Sequence, residues 1–258
     1  MKVIAVSLSK GGVGKTTISV NLGAALGLEG QRTLIVDLDS VGYATTWLGM
    51  NMAEVSAEHS AYSVITRKSP LAQAVYETDE ENVFLCPAHS SLINAAGELG
   101  ARLDGLFVLR DTFTAAAREG LPFDIIILDC PGEQNPVVFN AIIAADLVVA
   151  PVLSHNMSLD GLADLSKMTE TIQARFRSDL RQPYILLNDY VGQAASDRQI
   201  KDYLAETYGG QMFQTFIGRD APLRECYNQA QSIFRYRRSA RTASQFRALA
   251  QEVVDILS

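Results

Sequence analysis

The sequence predicts an α/β fold, a single doubly wound, mostly parallel sheet flanked by helices. Three observations carry that expectation. The apolar run Val3-Ile4-Ala5-Val6 leads through a glycine-rich turn into Ile18, Leu22, Ala25 and Leu26 at helical spacing, a strand–loop–helix unit. The stretch Phe123-Asp124-Ile125-Ile126-Ile127-Leu128-Asp129 contains four consecutive aliphatic residues, as a strand buried on both faces of a parallel sheet requires. Strand-sized and helix-sized patterns then alternate to the end without a Pro/Gly/Ser-rich linker, internal repeat or low-complexity segment, so residues 1–258 are read as one domain.

The turn after the first strand reads Lys10-Gly11-Gly12-Val13-Gly14-Lys15-Thr16-Thr17. Glycines let the backbone fold with its N–H groups inward, and a helix starting near Lys15 adds its positive N-terminal end, which together make a phosphate cradle. In such a cradle Lys15 reaches the β- and γ-phosphates and the Thr16 hydroxyl holds Mg²⁺. Two plainer readings compete: a strand-to-helix turn with a solvated lysine, and a dinucleotide fingerprint. The second needs G-x-G-x-x-G, which Gly11-Gly12-Val13-Gly14 does not supply. The general phosphate-loop pattern places glycine six residues before Lys15, where this chain has Ser9, and asks for nothing at Lys10.

With its extra lysine, the octet resembles the deviant Walker A box of the ParA/MinD ATPases. The resemblance implies a P-loop NTPase fold with ATP and Mg²⁺ as ligands. It also implies that Lys10 reaches across a dimer interface to the partner's nucleotide, supplying positive charge as phosphoryl charge develops.

Gly30 closes the first helix, and Thr33-Leu34-Ile35-Val36 forms a second strand ending at Asp37-Leu38-Asp39, where doubly wound sheets bind ligands. Val36 to Thr46 resembles the family's second box, D-x-D-P-Q-G-N-A-T, with departures at Ser40, Val41 and Tyr43. By position, the resemblance gives Asp39 the attacking water and part of the Mg²⁺ shell, and makes Asp37 a supporting carboxylate. Either can equally cap a turn or helix. Residues 50–80 are polar and mixed, with short helices expected around Ala61 to Ile65 and Leu71 to Val75. Trp47 reads as a packing residue. Val83-Phe84-Leu85-Cys86 is a third strand, and Leu92 to Leu109 one or two helices.

Asp129, at the end of the aliphatic strand, has the form of a Walker B acid that contacts Mg²⁺ through water, although an N-cap Asp looks similar in isolation. Pro131-Gly132 opens a loop able to sense the γ-phosphate; the family more often has two prolines there. Ala145 to Val152 forms another buried strand, and a helix from Leu159 carries Lys167, Arg175, Arg177 and Arg181. Tyr184 to Asp189 is the next strand. Asn188 near its end matches a family position whose amide reads the adenine edge, and also suits a turn cap. Met212 to Ile217 is expected as a last strand. The resemblance then packs the backbone around Ala221-Pro222 on the adenine. Thr242 to Ser258 places Phe246, Leu249, Ala250, Val253 and Leu257 on one face of a packing helix.

Composition bounds the class. Of 258 residues 48% are apolar, enough for a sizeable core, and the longest apolar runs are strand-sized, short of the ~18 residues a membrane span needs. Met1-Lys2 leads straight into the first strand, so no signal peptide is expected. Cys86, Cys130 and Cys226 are widely spaced, which reads as buried residues in a reducing cytoplasm. His59, His89 and His155 lack metal spacing. Formal charge is −7, yet Arg219, Arg224, Arg235, Arg237, Arg238, Arg241 and Arg247 face only Asp220 and Glu225 in the same stretch. A local basic face can hold a polyanion on an otherwise acidic molecule, or it can be a solvated, salt-bridged surface.

Together the motifs point to Mg-dependent triphosphate hydrolysis. The family adds adenine as the base and an ATP-bridged dimer; the local charge then favours nonspecific DNA, held by Arg219, Arg224, Arg235, Arg237, Arg238 and Arg241, over a solvated helix face, and a role at the nucleoid. That role is partitioning of plasmid, chromosome or protein cargo with a ParB-like or adaptor partner. The alternative is a MinD-like membrane-associated ATPase, disfavoured by Glu252 and Asp255 in the last turns. A metabolic ligase or a metal-cluster enzyme on the same scaffold is a further alternative; the cluster relatives need cysteines paired across a dimer, for which Cys130 has no evident second member.

Overall fold

The computed structural model describes residues 1–153, 159–192 and 195–258. In chain order the amino-terminal half comprises β1 (Lys2–Val6), α1 (Lys15–Leu28), β2 (Thr33–Asp37), α2 (Tyr43–Trp47), α3 (Ala61–Ile65), β3 (Tyr76–Glu77), β4 (Val83–Cys86), α4 (Leu92–Gly100) and α5 (Val108–Arg118). The second half adds β5 (Ile125–Asp129), α6 (Pro136–Ala144), β6 (Leu147–Leu153), α7 (Leu159–Arg175), β7 (Tyr184–Asn188), α8 (Ala195–Tyr208), α9 (Ala221–Asn228), α10 (Ile233–Arg237) and α11 (Arg241–Leu257).

The sheet order is β3-β4-β2-β5-β1-β6-β7, parallel except for β3 on β4. This is the doubly wound sheet expected from the sequence. Alternate residues of the central strands enter opposite cores because side chains alternate along a strand. Val3, Ala5, Leu34, Val36, Ile126 and Leu128 pack with α3 to α8 on one face, and Ile4, Val6, Ile35, Ile125 and Ile127 pack with α1 and α9 to α11 on the other. α1 is buried almost all round from Ile18 to Gly27, as a helix between sheet and α11 must be. α11 turns Phe246, Leu249, Ala250 and Val253 inward, each of them fully buried. The carboxyl ends of β1, β2, β5, β6 and β7 share one edge of the sheet, and β1 lies between β5 and β6, where the winding reverses.

Several expectations change. Met212 to Ile217 does not form a continuous strand: beside β7 it makes an isolated bridge at Ile185 and Met212, with the Phe213 amide donating to the Ile185 carbonyl at 3.0 Å and the Ile217 amide to the Leu187 carbonyl at 2.9 Å. The amides of Gln214 and Thr215 donate instead to the Glu252 carboxylate at 2.7 and 3.1 Å, which breaks the ladder. Leu71–Ala74 is a 3-10 turn following Pro70, and the two-residue β3 after it was not expected. α7 ends at Arg175, so Arg177 and Arg181 lie beyond it. Arg177 packs back on the sheet, donating to the Ile143 and Ala145 carbonyls and pairing with Asp146 at 3.1 Å. Cys86, Cys130 and Cys226 are all buried. His59 is exposed, the His89 Nδ1 accepts from the Ser91 amide at 3.1 Å, and His155 lies outside the described residues.

Candidate active site

The loop from Lys10 to Gly14 joins β1 to α1 at the carboxyl edge of the sheet. Gly12 and Gly14 take φ of 73° and 91°, the left-handed region that side chains resist. At Gly14 there is also no room: a Cβ would stand 2.2 Å from the Asn188 Nδ2. That amide donates to the Val13 carbonyl at 2.8 Å, so β7 braces the loop from below. The Val13 side chain is buried in the core.

Lys15, the first residue of α1, folds its ammonium back into the turn, donating to the Lys10 carbonyl at 2.8 Å and the Leu8 carbonyl at 3.4 Å. Burial lowers its pKa, and the nearby Asp129, Cys130 and Asp39 oppose that shift. One residue on, the Thr16 hydroxyl donates to Asp129 Oδ2 at 2.8 Å, and the Ser19 hydroxyl donates to Oδ1 at 2.8 Å. Ser19 escaped the sequence reading because a serine one turn into a helix carries no motif of its own.

Asp37 and Asp129 are paired in register across β2 and β5, which sets two buried carboxylates side by side. Burial raises the Asp37 pKa and the Asp129 charge raises it further, against hydrogen bonds from the Thr45 hydroxyl and amide at 2.7 and 2.8 Å. Burial likewise raises that of Asp129, while Ser19, Thr16 and Lys15 pull it down. Asp39, two residues past Asp37, is half-buried and accepts from the Val41 amide at 3.0 Å. This turn-capping bond leaves the second carboxylate oxygen for another partner.

A cavity of about 610 Å³ opens over these groups. Gly11, Gly12, Gly14, Lys15, Thr16, Thr17 and Asp39 line one end, with Cys130 and Gly132 beside them. Asn188, against Gly14, and Asp189, Asp220, Leu223 and Arg224 complete that lining. Pro222 opens α9 between Asp220 and Leu223, and those two neighbours form that part of the wall. Trp47 is 4% exposed, as a packing residue should be, yet its edge reaches the cavity together with Tyr43 and Tyr227. Tyr43 stands where the family box has Asn. Leu223 and Tyr227 share a face only once α9 is located, so spacing along the chain carries no sign of them.

The geometry fits a magnesium nucleotide. Among the described residues no cluster of three His, Cys, Asp or Glu side chains holds a metal, so a metal here would be one held by a hydroxyl, few carboxylates and the substrate's own oxygens. Thr16, Asp129 and Asp39 supply that donor set beside the cradle.

The arginines divide into groups. Arg219 bonds Asp189 at 2.8 to 3.1 Å, Arg224 reaches Asp189 at 3.4 Å, and Arg241 donates to the Arg219 carbonyl at 2.7 Å. Arg235 pairs with Asp79 at 3.3 Å, while Arg237 and Arg238 are exposed at the end of α10. Arg247 lies over the Phe234 ring.

A family model described as an AAA domain matches residues 1–182. The chain is 32% identical over 252 residues to the sporulation initiation inhibitor protein Soj of Bacillus subtilis, covering 98% of each chain. It is 35% identical over 252 residues to the chromosome-partitioning ATPase Soj of Thermus thermophilus, covering 97% of this chain and 94% of that one. Among solved structures, cobyrinic acid a,c-diamide synthase from Mycobacterium smegmatis with a bound ATP analogue and magnesium superposes with a TM-score of 0.85 at 26% identity, over 100% of this chain and 96% of the other. Matched over nearly its whole length by the two Soj proteins and over residues 1–182 by the family model, the chain belongs to the ParA/MinD family of P-loop ATPases.

Proposed function

We propose that this protein is a ParA-type partition ATPase whose ATP-bound form is a sandwich dimer that holds DNA without sequence preference and lets go on hydrolysis. The observation that carries the reading is that Lys15, Thr16 and Asp39 line a nucleotide-sized cavity, with the buried Asp129 carboxylate held directly behind Thr16 by its hydroxyl. The chain is read as one domain because strands from both halves share a single sheet.

In this reading the amides of Gly11 to Thr17 and the Lys15 ammonium cradle the phosphates. Thr16 and Asp129, with Asp39, hold Mg²⁺, which when bound neutralises charge on the phosphate oxygens. Lys15 leaves the Lys10 carbonyl for the phosphate, exchanging a neutral acceptor for a charged one. Asp39 orients the attacking water. Lys10 of one protomer meets the phosphates held by its partner. The base end of the cavity, at Asn188 and beside Pro222, takes adenine, with the Asn188 amide already anchored to Val13.

Arg219, Arg224, Arg235, Arg237, Arg238 and Arg241 form the polyanion surface, doubled by two-fold symmetry. Exposed ion pairs such as Arg235–Asp79 are worth roughly 0–1 kcal/mol, so phosphates can displace the carboxylates. Hydrolysis, stimulated by a ParB-like or adaptor protein, then releases cargo along the nucleoid.

DNA retention measured beside molecular mass, with no nucleotide, ADP, ATP or a nonhydrolysable analogue, tests this directly. The expected result is a dimer that holds DNA only with a triphosphate. The same oligomer in every nucleotide state would remove the switch.

A further inference from the structure

Three buried polar side chains outside the cavity chemistry converge on the start of α10, the helix that presents Arg235, Arg237 and Arg238. Asn21, in the middle of α1, is fully buried. Its Nδ2 donates to the Thr17 carbonyl at 2.9 Å, and its Oδ1 accepts from the Ile233 amide at 2.8 Å. Thr17 lines the nucleotide cavity and Ile233 is the first residue of α10. Trp47, the last residue of α2, donates its Nε1–H to the Gln231 carbonyl at 2.8 Å. Its ring meets Tyr227 edge-on at 5.2 Å, and Tyr227 meets Tyr43 at 6.2 Å, which continues the contact along the cavity wall. From a third side Glu80, 7% exposed, accepts from the amide and hydroxyl of Ser232, both at 2.7 Å.

An apolar side chain at position 21 would fill the same space. A buried amide satisfied at both ends instead fixes the register of two segments, because sliding either one leaves a polar group unpaired in the core. α2 in turn follows the Asp39 loop directly, and its Thr45 holds Asp37. The two polar links therefore start at elements that border the cavity, and both end within the segment 231–233.

We infer that Asn21 and Trp47 are positioning residues that couple the placement of α10 and its arginines to occupancy of the nucleotide cavity. The inference rests on the reading of Arg235, Arg237 and Arg238 as polyanion contacts, but its test does not. Amide hydrogen exchange over 229–238 is measured with and without a nonhydrolysable ATP analogue and Mg²⁺, in the unaltered protein, in Asn21→Ala and in Trp47→Phe, which keeps an aromatic ring but cannot donate. In the unaltered protein the analogue is expected to slow exchange there by about fivefold or more, and in each variant by less than about twofold. Affinity of Asn21→Ala for the analogue stays within about threefold, which separates lost coupling from lost binding.

Equal slowing in both variants, or none in the unaltered protein, overturns the inference. Should Asn21→Ala fail to fold, Trp47→Phe decides alone. DNA retention is scored in parallel. A responsive α10 with no DNA held in any nucleotide state keeps the coupling and removes the polyanion reading, and DNA held with an unresponsive α10 does the reverse.

Discussion

Asp37 and Asp129 end neighbouring strands in register, and both bind protons more tightly in the folded chain than an ordinary aspartate does. Their raised pKa values favour the folded state at low pH, and that contribution is lost progressively as pH rises from the ordinary aspartate value of 3.8 to about 6 for Asp129 and to about 8 for Asp37. In EDTA, Tm should therefore fall between those limits, and Asp37→Asn, which fixes the neutral form, should flatten the fall. An equally steep profile in the variant would exclude Asp37 as the source. Lys15→Ala removes the ammonium that folds into the turn and lines the cavity, and is expected to abolish ATP binding by calorimetry; retained micromolar affinity contradicts the assignment. Asp39→Ala should leave binding intact and stop turnover, so ATP-bound dimer accumulates, and undiminished phosphate release would take Asp39 out of its role. At Gly14 an alanine meets two obstacles, a left-handed φ costing about 1–2 kcal/mol and the Asn188 amide. Gly14→Ala/Asn188→Ala should recover only the second part of the lost stability, as denaturant titration can show.

Among the elements, α10 and α11 separate surface function from packing. α10 has five residues and leaves Arg235 and Arg237 exposed, with Arg238 just past its end. Replacing the three together should weaken DNA retention and reduce the log–log salt slope by about 0.9 for each phosphate no longer neutralised. An unchanged slope moves the DNA surface elsewhere. α11 shows why an amphipathic pattern alone does not fix a role. Its apolar stripe was legible in the sequence, and packing on α1 resolves it as core, with Phe246 fully buried. Met212 to Ile217 shows the opposite case, a segment whose pairing with β7 at Phe213 and Ile217 is interrupted at Gln214 and Thr215, where Glu252 on α11 accepts both amides. No local pattern announces a competitor more than thirty residues away.

For the molecule as a whole, no described helix is long and apolar enough to cross a membrane, and the apolar face of α11 is turned inward. Because the α11 apolar face is engaged in the core and Glu252 and Asp255 lie in its last turns, co-sedimentation with anionic vesicles is expected to be negative in every nucleotide state, and ATP-dependent pelleting would revive a membrane role. The chain by itself marked the sheet class, the glycine loop between β1 and α1, and the positions of Asp37, Asp39 and Asp129 at or just past strand ends. Glycine geometry, strand-end position and aliphatic runs are local properties, set by a few neighbouring residues and readable at fixed spacing. Only tertiary structure decided that Ser19 shares Asp129 with Thr16 and that Asn188 braces the loop from beneath Gly14. The same holds for Tyr43, Trp47 and Tyr227 forming one wall, and for Asn21 and Trp47 reaching α10. These contacts join segments distant in the chain, and hydrogen bonds and close packing select partners by position in space, which one-dimensional spacing does not encode.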